Sequence, residues 1–197
     1  IQLSDHFTMR RLLRFTLPAI VMMVVTSIYS VVDGLFVANV VGSNALASIN
    51  IVMPMFLILG AFGFMMGSGG SAEVAKTMGE GREDDAKSYF TTLTIAVAIL
   101  GVILTAATIS FIRPLSYFMG ASDLLIEDCV IYGTICLIGN IPYMLQTFFQ
   151  TFFITAEKPK LGMVLTIASG VTNIVLDWLF IVVFQWGIAG AAVATSI

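Results

Sequence analysis

The chain has 197 residues, of which 58% are hydrophobic and only 11% are charged, and its formal net charge at pH 7 is -3. Its mean hydropathy of +1.00 lies well outside soluble globular usage, so the composition excludes a soluble domain and predicts an integral membrane protein. The small negative charge gives no reason to expect a nucleic-acid partner. Because the chain opens at Ile1 and stops at Ile197 inside an apolar run, we expect it to be a fragment of a longer protein.

Five apolar stretches are long enough to cross a membrane as helices, which requires about 20 mostly apolar residues. The stretches are continuous rather than alternating with period two, so a membrane β-barrel is disfavoured and the predicted fold class is all-α. We place the predicted spans at residues 12–41, 45–75, 89–112, 124–154 and 161–186, with the start of a sixth at 187–197.

Basic residues are distributed unevenly over the connections between these spans. Arg113 alone lies on one side, whereas the other eight of the nine Lys and Arg residues lie on the opposite side. Cytoplasmic loops are rich in Lys and Arg, so we predict a multi-pass protein of the cell membrane with a cytoplasmic amino terminus. The eight are Arg10, Arg11, Arg14, Lys76, Arg82, Lys87, Lys158 and Lys160.

Residues 76–87 form the only strongly polar connection, which we interpret as a solvated loop. The preceding GSGGS is not a phosphate-binding loop, because the Lys-Ser/Thr pair and the strand that such a loop needs are missing. Gly63 and Gly67 instead have the spacing of small residues that lets membrane helices approach closely, which predicts a packing role.

The chain offers little for enzymatic chemistry. Cys129 and Cys136 are seven residues apart, about 10 Å along a helix, and a disulfide requires Cα atoms within about 7 Å. The single histidine, His6, lies in the polar amino-terminal segment. Neither a zinc-type cluster nor a hydrolase triad is indicated, so we predict neither a cofactor nor an enzyme.

Two acidic residues, Asp33 and Asp177, lie in the interior of apolar spans, away from the span ends. A carboxylate at the centre of a membrane helix costs roughly 2.5–3.5 kcal/mol on insertion scales, so such a residue marks a functional site by default. Asn173 precedes Asp177 by four residues and therefore shares its helix face. An amide and a carboxylate can jointly bind a proton or a small cation, so we predict a proton or Na⁺ site at Asp33, Asn173 and Asp177.

The first span carries further polar residues near Asp33. Thr26, Tyr29 and Ser30 lie seven, four and three residues before it and give the helix a polar stripe. Pro18, earlier in the same span, removes a backbone hydrogen bond and permits a kink. We therefore predict a hinge at Pro18 and a polar cavity wall at Thr26 and Tyr29.

The fourth span carries a second polar set with three-to-four spacing. Buried amides often serve only to join helices, at about 0.6–2 kcal/mol each, so a structural role and a substrate-cavity role both stay open. Eleven Met and fifteen Phe suit an adaptable apolar cavity, although lipid-facing and core positions account for most of them. The set comprises Asn140, Tyr143, Gln146 and Gln150.

Several stretches together resemble the multidrug and toxic compound extrusion (MATE) transporters, over nearly the whole chain. They are LPAIVMMVVTSIYSVVDGLFVANVVGSNALAS, GFMMGSGGSAEVAKTMGEGREDDA, FFITAEKPKLGM and TNIVLDWLFIVVFQWGIAGAAVAT. The resemblance implies a fold of twelve helices in two six-helix lobes, so this chain would be one amino-terminal lobe cut at the start of helix six. It also implies an antiporter that expels organic, often cationic, compounds while protons or Na⁺ flow inward.

The resemblance also implies roles for particular residues. Asp33 stands at the family's helix-one aspartate, and Asn173 with Asp177 matches its helix-five Asn-x-x-x-Asp element. Thr195 matches a helix-six threonine of the cation site, and Gln150 a polar helix-four position usually given to Asn. Pro18 matches a proline proposed to bend on protonation. The TAEKPK segment departs from the Arg- and Gly-containing turn common in the family, which puts its cytoplasmic gating contacts in doubt.

Two rival functions stay open from the sequence, and so does the choice between H⁺ and Na⁺. A related lipid-linked oligosaccharide flippase would line its cavity with several Arg or Lys, and the interior of these spans contains none. A non-transporting membrane scaffold would use the aspartates only to join helices. The expected partners are small organic substrates, the lipid bilayer and a carboxy-terminal lobe. An isolated lobe would also expose its cavity-lining surface, which allows self-association.

Overall fold

The structure, a computed structural model, describes residues 9–156 and 159–197. His6 and Lys158 lie outside these residues, and so do the side chains of Arg10, Arg11, Arg14 and Lys160. Over the described ranges the chain is helical and contains no strand, which confirms the all-α prediction. The α-helices are α1 (Met9–Phe36), α2 (Ser43–Gly79), α3 (Glu83–Ser110), α4 (Ile112–Phe118), α5 (Ile126–Thr155), α6 (Pro159–Asp177) and α7 (Gly187–Ser196).

Two π-helical segments extend membrane helices at one end of the bundle. The first, Val37–Val41, continues α1, and the second, Trp178–Val183, continues α6. With these extensions, five helical stretches in the described chain are long and apolar enough to cross a membrane, and α7 is a shorter apolar helix. This confirms the prediction of five spans and the start of a sixth. The five are Thr16–Val41, Ser43–Gly79, Glu83–Ser110, Ile126–Phe153 and Leu161–Val183.

The polar connection predicted at 76–87 is mostly helix. Only residues 80–82 separate α2 from α3, and Gly81 takes a left-handed φ of 78° that an L side chain rarely adopts. Arg82 pairs with Glu80 and, at 3.4 Å, with Asp85. We call this end of the bundle, which carries Lys76, Arg82 and Lys87, the basic end.

Two other boundaries differ from the prediction at the opposite end. The third span was predicted to reach 112, but α3 ends at Ser110 and Ile112 begins the unpredicted short helix α4. The fifth was predicted to reach 186, but helical structure ends at Val183. There the chain reverses, because Gln185 takes a left-handed φ of 55° and the Trp186 N–H donates to the Phe180 carbonyl at 3.0 Å.

The core of the bundle lies where α2 packs along α5. A Cβ atom at Gly67 would lie 2.6 Å from Thr151 Oγ1 and 2.9 Å from Phe148 Cα, and one at Gly63 would lie 2.7 Å from Thr147 Oγ1. All three distances to α5 atoms are too short for a residue larger than glycine unless α5 shifts. The predicted packing role of Gly63 and Gly67 is therefore confirmed.

Helix α1 lies against α6 and buries little of its surface. A Cβ at Gly170 of α6 would lie 3.1 Å from Tyr29 Cδ1, so this glycine lets the two helices approach. The π-helical segments contact each other and α7. Val37 and Ile181 are buried there together with Ala191 and Ala192 of α7. This packing brings the ends of α1 and α6 together.

Candidate functional site

The contact between α1 and α6 brings the two membrane aspartates together. Asp177 is the last residue of α6 and is fully buried, at 0% exposure. Asp33 lies one turn before the end of α1 and is half-buried. Their carboxyl groups lie next to each other. Two residues 144 positions apart in the sequence thus form a single acidic pair inside the bundle.

Three of the four carboxyl oxygens of this pair are buried and have no hydrogen-bond donor among the described residues. Asp33 Oδ1 and both carboxyl oxygens of Asp177 are buried without a hydrogen-bond partner, and so is Asn173 Oδ1, one turn before Asp177. An ionised carboxylate buried without compensation is very unfavourable, so a proton or a cation must balance it. The three residues therefore fit the predicted proton or Na⁺ site in one respect, namely a set of oxygens that lack donors.

The chemistry of this oxygen set suits a hard cation rather than a transition metal. Carboxylate and amide oxygens are the ligands that hard cations prefer, whereas Zn²⁺ and Cu²⁺ sites usually recruit His or Cys. Within the residues that the structure describes, no group of three or more His, Cys, Asp or Glu converges.

Tyr132 of α5 completes the wall of the site, and the sequence reasoning missed it. Its side chain is 2% exposed, lies within electrostatic reach of Asp33 and contacts Thr195 and Cys136. Its ring packs edge-on against Phe56, with centroids 6.3 Å apart. The only available signal was spacing, because Tyr132, Cys136 and Asn140 recur every four residues on one face of α5.

Thr195 is placed near the site, although its hydroxyl bonds its own helix. It lies against Tyr132, and its Oγ1 donates to the Ala191 carbonyl at 3.0 Å. Such a bond back to the preceding turn is common for threonine in helices. For Thr195 to bind the cation as predicted, its hydroxyl must either give up this hydrogen bond or bind the cation through an oxygen lone pair while it still donates to Ala191.

Of the predicted cavity residues, Tyr29 lies close to the acidic pair, Tyr143 lies close to Tyr29, and Asn140 is buried on α5. Tyr29 is half-buried and lies within electrostatic reach of both Asp33 and Tyr143. Tyr143 is 40% exposed and packs on Gly60, where a Cβ would overlap the tyrosine ring. Asn140 is 2% exposed, and neither its Oδ1 nor its Nδ2 has a partner in the described chain.

The remaining predicted residues are not gathered at the pair. Gln150 Nε2 donates to Thr166 Oγ1 at 3.3 Å, so it joins α5 to α6, as the structural interpretation of buried amides anticipates. Thr26 and Gln146 are exposed on α1 and α5. Pro18 is buried within an α1 that continues through it to Phe36.

The sequence of this chain matches known transporters. The profile of the MatE family matches residues 18–179. The multidrug export protein MepA of Staphylococcus saprophyticus is 25% identical over 193 residues, which make up 94% of this chain and 41% of the relative. The FAD transporter of Shewanella oneidensis is 29% identical over 202 residues, with 94% of this chain and 42% of that protein covered.

Solved transporter structures share the fold. A crystal structure of MATE in complex with MaD3S matches with a TM-score of 0.85 and 27% identity over 93% of this chain and 41% of that one. An outward-facing multidrug resistance MATE transporter of the MOP superfamily matches with a TM-score of 0.83, 27% identity and coverage of 93% and 41%. The chain thus spans about two fifths of the length of the proteins that it matches.

Proposed function

Because the chain belongs to the MATE family of transporters, we propose that it forms the amino-terminal lobe of a cation-coupled multidrug efflux antiporter. The observation that supports this proposal is the pair of half-buried Asp33 and buried Asp177, three of whose four carboxyl oxygens are buried without donors among the described residues. H⁺ or Na⁺ entering from outside would bind the pair and drive the export of an organic compound. The relatives are transporters, and the proposed role requires no catalytic residue.

Competition for negative charge provides the coupling mechanism. A proton, a Na⁺ ion and a cationic substrate all neutralise the same two carboxylates, so occupancy by one lowers the affinity for the others. A ligand shifts a conformational equilibrium only by its differential affinity for the two states. Neutralisation of the pair would therefore bias the packing of α1 against α6 and convert ion entry into opening or closing of the lobe.

The charge of the spans favours cationic substrates. Residues 16–75 contain no Lys or Arg, and neither do residues 126–153 or 161–183. A flippase for lipid-linked pyrophosphates would require such cations in its cavity, so this rival is disfavoured. A second candidate is the export of a flavin dinucleotide, because the FAD transporter of Shewanella oneidensis is 29% identical to this chain. Its diphosphate would meet two aspartates here, which favours the cationic alternative.

The test uses the full-length protein in membrane vesicles. We expect Asp177→Asn to reach the membrane at wild-type levels but to lose the export of a cationic dye driven by a proton or Na⁺ gradient. The matched control is Asp84→Asn, because the Asp84 side chain is 100% exposed and pairs only at the surface with Lys87. Unchanged gradient-driven export by Asp177→Asn would overturn the proposal. Dye binding insensitive to both ions would favour the scaffold alternative.

A further inference from the structure

The short helix α4 lies at the end of the bundle opposite the basic end. It starts two residues after the membrane span α3 ends at Ser110, and it packs against α5. Phe111 joins it, because the Leu115 N–H donates to the Phe111 carbonyl at 3.0 Å. Seven residues of α-helix extend about 10 Å, which is far too short to cross a bilayer. The helix therefore stands at the membrane edge without spanning it.

Two faces of α4 differ sharply in exposure. Ile112 and Ser116, one turn apart, are 6% and 0% exposed and face the bundle. Phe111 and Phe118, seven residues apart, are 62% and 88% exposed, and Leu124 just beyond the helix is 75% exposed. Burial of a Phe or Leu side chain is worth about 1.5–3 kcal/mol. The exposure of three such side chains to water is unfavourable, whereas their contact with an apolar surface is favourable.

Two polar side chains of α4 are paired with residues of the segment that follows it. Arg113 Nη2 donates to Glu127 Oε1 at 2.8 Å, and the Tyr117 hydroxyl donates to Asp123 Oδ1 at 3.0 Å. These bonds raise the pKa of Arg113 and of Tyr117, so both groups keep their protons. Aromatic residues beside a paired polar rim are typical of the membrane–water interface.

We propose that α4, together with Phe111 and Leu124, is an interfacial anchor that binds the phospholipid surface of the leaflet opposite the basic end. Phe118 enters the boundary between headgroups and acyl chains, while Arg113 and Tyr117 stay at the headgroup level. The occupant is lipid rather than protein, because the exposed Phe111 directly follows Ser110, the last residue of the apolar span α3. Glu127 already neutralises Arg113, so the anchor does not require anionic lipid.

A depth measurement on the full-length protein tests this proposal. A spin label is attached at Phe118→Cys, with the other cysteines replaced by Ser, in vesicles of zwitterionic phosphatidylcholine. Its collision rates with O₂, which partitions into the bilayer, and with a water-soluble nickel chelate report its depth. We expect a shallow position within roughly 5–10 Å of the headgroup boundary. The same depth is expected when anionic phosphatidylglycerol is added.

Two matched positions calibrate the measurement. Ser122→Cys lies on the exposed connection beyond α4 and reports water, whereas Ile99→Cys, 55% exposed near the middle of α3, reports the bilayer centre. The label at Phe118 should fall between them, and Leu124→Cys provides a second site if the first variant does not fold. A label at Phe118 with the nickel accessibility of Ser122 would overturn the anchor. So would a depth equal to that of Ile99, or protection from both reagents, which would indicate a protein cover.

Discussion

Asn140 is the most sharply testable single residue outside the acidic pair. Its amide is 2% exposed without a hydrogen-bond partner in the described chain, and such a group costs about 1–3 kcal/mol. We expect Asn140→Leu to raise the free energy of unfolding of the full-length protein in detergent by about 1 kcal/mol, which is measured as a higher unfolding temperature. If Asn140 lines the substrate path, the same variant should bind tetraphenylphosphonium, a model organic cation, more weakly.

An exposed amide on the same helix provides the control for Asn140. Gln146→Leu relieves no buried polar group, because Gln146 is exposed, so we expect no comparable gain in unfolding temperature. A lower unfolding temperature for Asn140→Leu would contradict the prediction and would mean that the amide makes hydrogen bonds in the full-length protein. A stabilised variant with unchanged binding of the cation would remove Asn140 from the substrate path.

The sequence was sufficient to predict the acidic pair but not its surroundings. Asp33 and Asp177 are identifiable because a carboxylate in an apolar span is rare and unfavourable. Tyr132 carries no such signal, because a tyrosine is compatible with any amphipathic or interfacial position. Gln150 was ambiguous for a related reason, since a buried amide serves equally as a cavity wall or an interhelical bond, and only its 3.3 Å contact with Thr166 distinguishes the two.

At the scale of elements, the contact of α2 with α5 depends on glycines. We expect Gly67→Ala and Gly63→Ala each to destabilise the protein by about 1–3 kcal/mol, since the new methyl group would overpack the interface. The reason is the proximity of Phe148 Cα, 2.9 Å from a Cβ at Gly67, and of Thr147 Oγ1, 2.7 Å from one at Gly63. The effect is measured by heating each variant in detergent and monitoring how much monodisperse protein remains.

Gly69 on the same helix is the matched control for this prediction. A Cβ there would meet nothing within 4 Å, and alanine is the better helix former by about 1 kcal/mol. We therefore expect Gly69→Ala to be neutral or stabilising. Equal effects at Gly67 and Gly69 would show that helix propensity, rather than the distance between α2 and α5, governs these positions.

Hydrophobic length located the spans, but it could not locate breaks inside an apolar run. Arg113 and Pro114 interrupt the apolar run of α3, but a charged residue beside a proline is compatible with a loop as well as with the start of a helix, so the pattern does not identify α4. The π-helical segments Val37–Val41 and Trp178–Val183 read as ordinary helix because a one-residue widening leaves hydrophobicity unchanged. The end at Val183 depends on tertiary contacts, among them Phe180 stacked on Trp186 with ring centroids 5.0 Å apart.

For the whole molecule, the exposed polar side chains of the spans indicate an incomplete surface. Thr26 on α1 and Gln146 on α5 are exposed, and Tyr143, which lies close to Tyr29, is 40% exposed. Polar groups within membrane spans usually face a bundle interior or a water-filled cavity rather than lipid. We expect the remaining part of the full-length protein, or a second copy of the isolated lobe, to cover this surface and to enclose the substrate.

The orientation of the whole molecule follows from the two ends of the bundle. The basic end carries Lys76, Arg82 and Lys87, all exposed, whereas Arg113 is the one Lys or Arg at the opposite end of the part of the chain that the structure describes. Positive charge near short loops is retained in the cytoplasm. We therefore expect the basic end to be cytoplasmic and α4 to contact the outer leaflet.

A cysteine introduced at one or the other end of the bundle measures this orientation in intact cells. A membrane-impermeant maleimide should label Ser122→Cys beyond α4 from outside, whereas Ser88→Cys near the basic end should react only after permeabilisation. Both serines are exposed, so the difference reports the side of the membrane and not burial. Cys129 and Cys136 are 0% and 7% exposed, and we expect them to stay unlabelled. The reverse pattern would invert the orientation, and the ions that drive the acidic pair would then enter from the basic end.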